Sequence, residues 1–420
     1  MTSPATPGEA ALPREPSFGA AFDAVPTHPL ALTPSETATT HRLPIRFTGS
    51  GSEYFRIWIV NLLLTLVTLG IYYPWAKVRR LRYFHGNTLV GKHPLDFHGD
   101  PKKMLRGYLL VGAMAVVYAV ASHLSPVAGM IAFVIIAALW PALFKSALQF
   151  RLANTSWRGL RFRFKGAVGG AYAALLPLLV PAGLIALLVT LAPAAGEKPA
   201  GSFVGFIFLV PLTILGIVPW LVWRIKKYQH DHYALAQWQT ELRAGKGAVY
   251  GVFLKTIGVS MLGGIVFAGV AFIGAMLFGT AAFLFKDGGD AGAGTVIAPL
   301  TAIVGAVLGL LLVQMLPRPY LMSRMQNLLW GNTGNRTLRF RSDLKFRPLL
   351  GLTFKNWLLM VFTLGLYWPF AAVAMARMRL EAVSVVTRAD PDTLVDQARP
   401  AEGDAAGDAA GDLLDFDIGL

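Results

Sequence analysis

The chain has 420 residues, 55% of them hydrophobic and only 15% charged, where a soluble domain carries roughly 25% charged residues. A mean hydropathy of +0.53 argues against a soluble enzyme or a nucleic-acid-binding domain. The absence of cysteine removes disulfides, thiolate nucleophiles, iron–sulfur clusters and cysteine-ligated zinc. The net charge of +15 then needs an explanation in terms of a membrane.

In chain order, residues 1–42 are rich in Pro, Ala, Ser and Thr, without the basic start and apolar core of a signal peptide. They read as a disordered tail. Residues 43–386 form the membrane domain. Its charge-free stretches are 57–76, 107–144, 166–196, 199–223, 256–285, 291–317 and 356–376, and about 20 such residues suffice to cross a bilayer. The second is long enough for two spans and is broken near Ser122, Ser125 and Pro126, which gives about eight membrane helices. Residues 387–420, with Asp404, Asp408, Asp412, Asp415 and Asp417, read as an acidic disordered tail.

The positive charge is concentrated. Four loops, 77–106, 145–165, 224–255 and 318–355, hold 28 of the 38 Lys and Arg residues and five acids, so the positive-inside rule predicts all four in the cytoplasm. The same loops carry short motifs. Asn61 to Pro74 matches Asn356 to Pro369 at an offset of 295 residues, through Asn61/Asn356, Thr68-Leu69-Gly70/Thr363-Leu364-Gly365, Tyr72/Tyr367 and Pro74/Pro369. Asn87-Thr88 precedes Phe97-His98-Gly99 with the same ten-residue step by which Asn154-Thr155 precedes Phe164-Lys165-Gly166. Phe47-Thr48-Gly49 and Asn332-Thr333 with Leu338 to Arg341 are partial copies. The chain reads as one membrane module copied and divided. Around Tyr228 to Glu241 the Asn-Thr and Phe-x-Gly elements are missing. Where they occur, Asn-Thr favours a turn, and the alternation in Leu160-Arg161-Phe162-Arg163-Phe164 predicts a short strand. Such strands should pair with one another into small cytoplasmic sheets or hairpins.

The Phe47-x-Gly49 element, Glu53-Tyr54-Phe55, the Asn61 to Trp75 motif and the recurring Asn-Thr and Phe-x-Gly elements together resemble the YjgN-like family of bacterial inner-membrane proteins. The resemblance covers about Pro44 to Val385, and its most specific part is Thr68 to Ala76. It implies a multi-pass protein of the bacterial inner membrane and supplies no activity, cofactor or catalytic residue.

Two expectations about topology compete. If every segment spans, both termini are periplasmic. The repeats instead put Phe47-x-Gly49 and Ala371 to Arg379 on the cytoplasmic side, which requires the first and last segments to be re-entrant and broken at Gly70/Pro74 and Gly365/Pro369. Eight full spans is the favoured reading, and re-entrant first and last segments the rival. The fold class is thus an all-α integral membrane protein with short cytoplasmic β-strand elements.

Function has to be sought in polar groups at membrane depth. Asn61, Thr65, Thr68, Asn356 and Thr363 are the candidates, as a solute site or as helix-to-helix hydrogen bonds. No Asp or Glu lies in any apolar stretch, which disfavours ion-coupled pumping. His85, His93, Asp96, His98 and Asp100 share one loop, and His230-Asp231-His232 lies in another, but neither follows a metal-ligand spacing. No cofactor, metal or catalytic residue is predicted. Arg79, Arg80, Arg82, Arg161, Arg163, Lys165, Arg339 and Arg341 are candidate contacts for anionic lipid headgroups. The expected function is passive passage or sensing of a small solute. The alternative is a non-transporting organiser that binds anionic lipid or partner proteins through its basic loops. Membrane lipids, not nucleic acid, are the expected partners, and the sequence indicates no oligomeric state.

Overall fold

The computed structural model describes residues 40–192, 201–284, 315–388, 390–393 and 395–396. Residues 291–314 of the span predicted at 291–317 and most of both predicted tails lie outside the described residues. The helices are α1 (Gly51–Val67), α2 (Tyr73–Gly86), α3 (Pro101–Leu124), α4 (Pro126–Ala153), α5 (Val168–Leu175) and α6 (Leu179–Thr190), then α7 (Gly201–Asp231), α8 (Lys246–Leu284), α9 (Pro317–Gly331), α10 (Phe346–Phe362) and α11 (Trp368–Glu381).

Strands stand between them: β1 (His41–Phe47), β2 (Thr88–Val90), β3 (His93–Phe97), β4 (Thr155–Trp157), β5 (Leu160–Phe164), β6 (Tyr233–Leu235), β7 (Trp238–Gln239), β8 (Glu241–Leu242), β9 (Thr333–Gly334), β10 (Leu338–Ser342) and β11 (Val383–Thr387). All eleven belong to one antiparallel sheet, in the order β7-β6-β5-β4-β3-β2-β1-β11-β10-β9-β8. Its two edge strands are separated in the chain by Thr240 alone, so the sheet returns on itself and leaves almost no open edge.

This corrects two expectations. The protein is not all-α, because the strands form one near-closed ring rather than several small sheets. Nor does it have eight spans. Among the described residues five helices are long and apolar enough to cross: Pro101–Leu124, Pro126–Ala153, Val168–Ile185, Gly205–Asp231 and Lys246–Gly269. The first and last apolar stretches are helical hairpins. In the first, Leu69 at φ 50° and Gly70 at φ 93° reverse the chain, and in the last Leu364 at 49° and Gly365 at 89° do the same. From Arg56, α1 advances 11 residues before turning, about 16 Å at 1.5 Å per residue, roughly half of the hydrocarbon thickness.

One connectivity, strand–helix–helix–strand, occurs five times. The first unit is β1-α1-α2-β2, the second β3-α3-α4-β4 and the third β5-α5-α6-α7-β6; the fourth runs from β8 and α8 to α9 and β9, and the fifth is β10-α10-α11-β11. In each, the last residue of the entering strand faces the first of the returning strand: Phe47 with Thr88, Phe97 with Thr155, Phe164 with Tyr233, Leu242 with Thr333, Ser342 with Val383. The next N–H bonds the carbonyl that ends the returning helix, Thr48 to Asn87, His98 to Asn154, Lys165 to His232, Arg243 to Asn332 and Asp343 to Ala382, at 2.8–3.0 Å.

Local chemistry explains the recurrence. A helix end leaves carbonyls unpaired, and the Asn amide at positions 87, 154 and 332 donates to the carbonyl four residues back, at 2.9, 2.8 and 2.7 Å. The following Thr hydroxyl does the same from positions 88, 155 and 333. Where Asn-Thr is missing, His232 takes the role of the Asn, with Nδ1 donating to the Tyr228 carbonyl at 2.7 Å. Phe-x-Gly is a packing pair: a Cβ on Gly49, Gly99 or Gly166 would lie 2.8, 2.5 or 2.6 Å from the ring of Phe47, Phe97 or Phe164. The fourth unit has Leu242 and Ala244 in these places, the smaller side chain leaving room for the larger one.

Each returning helix also carries a buried proline 13 residues before the residue whose carbonyl ends it, Pro74, Pro141, Pro219, Pro319 and Pro369. The helices follow one another around a ring. α1 packs on α2, α2 on α3, α3 on α4, α4 on α5, α5 and α6 on α7, α7 on α8, α8 on α9, α9 on α10, α10 on α11, and α11 on α1.

Candidate functional site

The polar residues singled out at membrane depth sit in the two short hairpins. Asn61 is buried; its Oδ1 accepts from Arg79 at 3.4 Å and its Nδ2 donates to the Ala76 carbonyl at 3.5 Å. Thr65 donates to the Asn61 carbonyl at 2.6 Å. Thr68 donates to Leu64 and accepts from the Tyr72 N–H, and Thr363 does the same with Leu359 and Tyr367. Every one of these bonds stays within its own hairpin and shapes it. Asn356 is buried too, but its Oδ1 has no protein partner, since the residue equivalent to Arg79 is Ala374.

The basic candidates divide. Arg79 holds Asn61, Arg80 lies over the rings of Phe84 and Trp368 at 5.9 and 5.5 Å, and Arg82 donates to the Gly99 carbonyl at 3.4 Å. Arg161, Arg163, Lys165 and Arg341 are exposed along β5 and β10. Register puts Arg161 and Asp96 on the same sheet face, both opposite Ser156, and Arg341 opposite Ser384. Arg339 lies on β10 beside them, and burial together with the charges of Arg243 and Arg388 lowers its pKa.

The other sheet face is apolar. Trp157, Leu160 and Val395 form one buried cluster against which Leu43, Val90, Leu95, Phe162 and Leu235 pack. These residues come from six consecutive strands, which laid flat would span about 24 Å at 4.8 Å each. One small cluster reaches them all because the sheet curls, so the apolar face is the inner one and the arginines lie outside. Val395, beyond β11 in the chain, is fully buried there, and Asp392 pairs with Arg158 at 2.7 Å. Val395 thus fills the interior of the strand ring near its hairpin turns, while Asp390, Asp392, Thr393 and Asp396 around it stay exposed.

Where helices meet strands, a group of cations comes together that the sequence reading missed. Arg151 on α4 acts electrostatically on Lys77 of α2 and on Lys226 of α7, the returning helices of the units before and after its own. Lys226 also lies within reach of the charge on Arg379 of α11, on the far side of α8, α9 and α10. Side chains on helices separated in this way come within electrostatic range of one another across the inside of the ring. Counted back from each helix end, Arg151, Gln229 and Arg379 stand at three residues, Lys226 and Gln326 at six and Lys77 at ten, steps of three and four that keep one helix face. Lys77 donates to the Tyr108 hydroxyl at 2.9 Å, Lys226 to Gln229 at 2.9 Å, and Arg379 to Gln326 at 2.9 Å. Burial first, then the charges of Arg151 and Arg80, lower the Lys77 pKa. The described ion pairs, Arg158 with Asp392 and Lys227 with Asp231, involve none of the four.

The histidines serve local structure. His85 bonds the Leu81 carbonyl at 2.8 Å, His98 meets Ser156 at 2.7 Å, and His230 meets Thr333 at 2.8 Å. Among the described residues, no three of His, Asp and Glu are grouped to hold a metal ion.

The family described as "Bacterial protein of unknown function (DUF898)" matches residues 42–413. Inner membrane protein YjgN of Salmonella typhimurium (strain LT2) is 25% identical over 374 residues, 86% of this chain and 93% of that protein. Inner membrane protein YjgN of Escherichia coli K12 is 27% identical over 176 residues, 41% of this chain and 44% of that protein. No solved structure matches.

Proposed function

The chain belongs to this DUF898 family of bacterial proteins, its relatives are inner-membrane proteins, and from that premise we propose that its helix ring holds or passes an apolar or amphipathic molecule. The observation that carries the reading is a closed circuit of helices whose membrane-spanning parts are apolar on every face. Only 6–22% of the most apolar window of each span is buried, so most of this apolar surface has no cover from the described residues. A lumen with such walls suits hydrocarbon. It does not suit an ion or a sugar, which needs polar groups at membrane depth. The small-solute reading is thereby narrowed to solutes with an apolar body, bound without covalent chemistry. We read the five strand–helix–helix–strand units as copies of one module, and the ends bearing the basic belt and strand ring as cytoplasmic.

The test is lipid retention. Protein released from nanodiscs into successive detergents should keep a fixed number of lipid molecules by native mass spectrometry. Complete loss of lipid, together with glycerol permeation through proteoliposomes, would sink the reading. A second role is favoured by the outer arginines of the strand ring: Arg161, Arg163 and Arg341 are placed to rest on anionic headgroups, each such charge contributing about 1 kcal/mol near a surface. Exchange of Arg161 and Arg163 for Gln should lower cardiolipin co-purification, and unchanged retention would remove that role.

A further inference from the structure

We infer that Lys77, Arg151, Lys226 and Arg379 form one binding site for a phosphate group on the axis of the helix ring. The inference rests on the lumen reading above and names the headgroup that such a molecule would carry. Arg151 lies within electrostatic range of Lys77 and Lys226, and Lys226 within range of Arg379, so four different units contribute one run of neighbouring cations. None is paired with a carboxylate among the described residues, and the acids nearby are engaged elsewhere. Glu53 accepts from Tyr83, Asp231 pairs with Lys227 and accepts from the Leu242 N–H, and Glu381 accepts from the Phe47 N–H. Like charges held together without counter-charge repel one another, and a bound anion relieves that repulsion.

The donor set suits phosphate in particular. Two guanidinium groups offer paired N–H donors that match phosphate oxygens, and two ammonium groups add compact positive charge. Gln326 and Gln229 orient part of the set: Gln326 Oε1 accepts from Arg379 Nε while its Nε2 donates to the Arg379 carbonyl at 2.8 Å, and Gln229 accepts from Lys226. Above the belt the walls are apolar, and below it the strand ring is filled by Val395 and its neighbours. A phosphate at this level with chains directed into the helix ring would match both surfaces. Inorganic phosphate would match the belt alone.

The experiment uses full-length protein in nanodiscs and detergent, comparing wild type with Lys226→Gln/Arg379→Gln and with Arg163→Gln on the outer face of the sheet. Phosphatidic acid, phosphatidylcholine and inorganic phosphate are titrated separately, by native mass spectrometry for the lipids and calorimetry for phosphate. The double variant should lose tenfold or more in phosphatidic acid affinity and retain phosphatidylcholine as wild type does, with Arg163→Gln unaffected. Parallel loss of inorganic phosphate binding would assign the site to the phosphate group itself, and loss of the lipid alone would make the chains part of recognition. Equal phosphatidic acid binding by wild type and double variant overturns the inference. Failure of wild type to retain phosphatidylcholine strikes the lumen reading instead, and leaves the phosphate arm to decide the site. Lys226→Arg, which keeps the charge, should bind within threefold of wild type and shows whether loss in the double variant reflects charge or folding.

Discussion

The two short hairpins and the three long ones share a frame and differ in reach. In the first and fifth units the chain turns at Leu69-Gly70 and Leu364-Gly365, and the tip leucines are each 94% exposed. In the second unit α3 and α4 continue for 24 and 28 residues and turn at Ser125, whose hydroxyl accepts the Ala128 N–H at 3.0 Å. Strand register, the backbone hydrogen bond onto the helix-end carbonyl and the buried proline of the returning helix are the same in all five. Reach away from the strand ring therefore follows hairpin length, on a base that is indifferent to it. Exposed tip leucines belong in hydrocarbon, whereas the Ser125 turn, at the end of helices about 36 Å long or more, belongs at the opposite membrane surface.

The largest expected effect tests that contrast directly. Because the chain has no native cysteine, single substitutions Leu69→Cys, Leu364→Cys and Leu124→Cys can be probed with a membrane-impermeant maleimide. Leu124→Cys should label fully from outside in spheroplasts. The two tip variants should stay unlabelled from outside and, after permeabilisation, label slowly if at all. Labelling of Leu69→Cys from outside would turn the short hairpins back into spans.

The shared base can be broken separately. Val395 contributes a side chain worth about 1.5–2 kcal/mol when fully buried, and a carboxylate in its place would be buried without a partner, a cost of several kcal/mol. Val395→Asp should lower thermal stability in detergent by about 3 kcal/mol and expose the strand ring to proteolysis, with hairpin labelling unchanged. Unchanged stability would mean that Val395 does not hold the base together.

How much of this was legible follows from the range of the forces involved. Local signals were readable: the alternation of Leu160–Phe164 is a strand, the break at Ser125 is a turn between two helices, and Asn-Thr marks a chain reversal, here as a helix end. The single sheet was not readable, because β1 and β11 meet across more than 300 residues of chain, with Arg42 Nε reaching Ser384 at 3.3 Å. Hydropathy averages over windows longer than α1 and so could not separate a hairpin that turns back from a helix that crosses. The third and fourth units were hidden by substitutions that keep the chemistry, His232 for Asn and Leu242/Ala244 for Phe/Gly. The basic belt was hidden among 38 cations until helix ends were aligned; the five prolines were the signal available for doing so.

The smallest effect separates the two short hairpins from each other. Asn61 and Asn356 hold the same place in the two hairpins, yet only Asn61 has a partner for its side-chain oxygen, Arg79. Removing one partner of a buried hydrogen bond costs the desolvation of the group left behind, whereas replacing a group already without a partner by an apolar one of similar shape does not. Asn61→Leu should therefore destabilise by about 1–2 kcal/mol, because Arg79 and the Ala76 carbonyl both lose a bond. Asn356→Leu should be neutral or stabilising by up to about 1 kcal/mol. Thermal unfolding of the two variants in one detergent measures the difference. Equal losses would mean that Asn356 has a partner after all, and a molecule bound inside the helix ring would then be the first place to look for it.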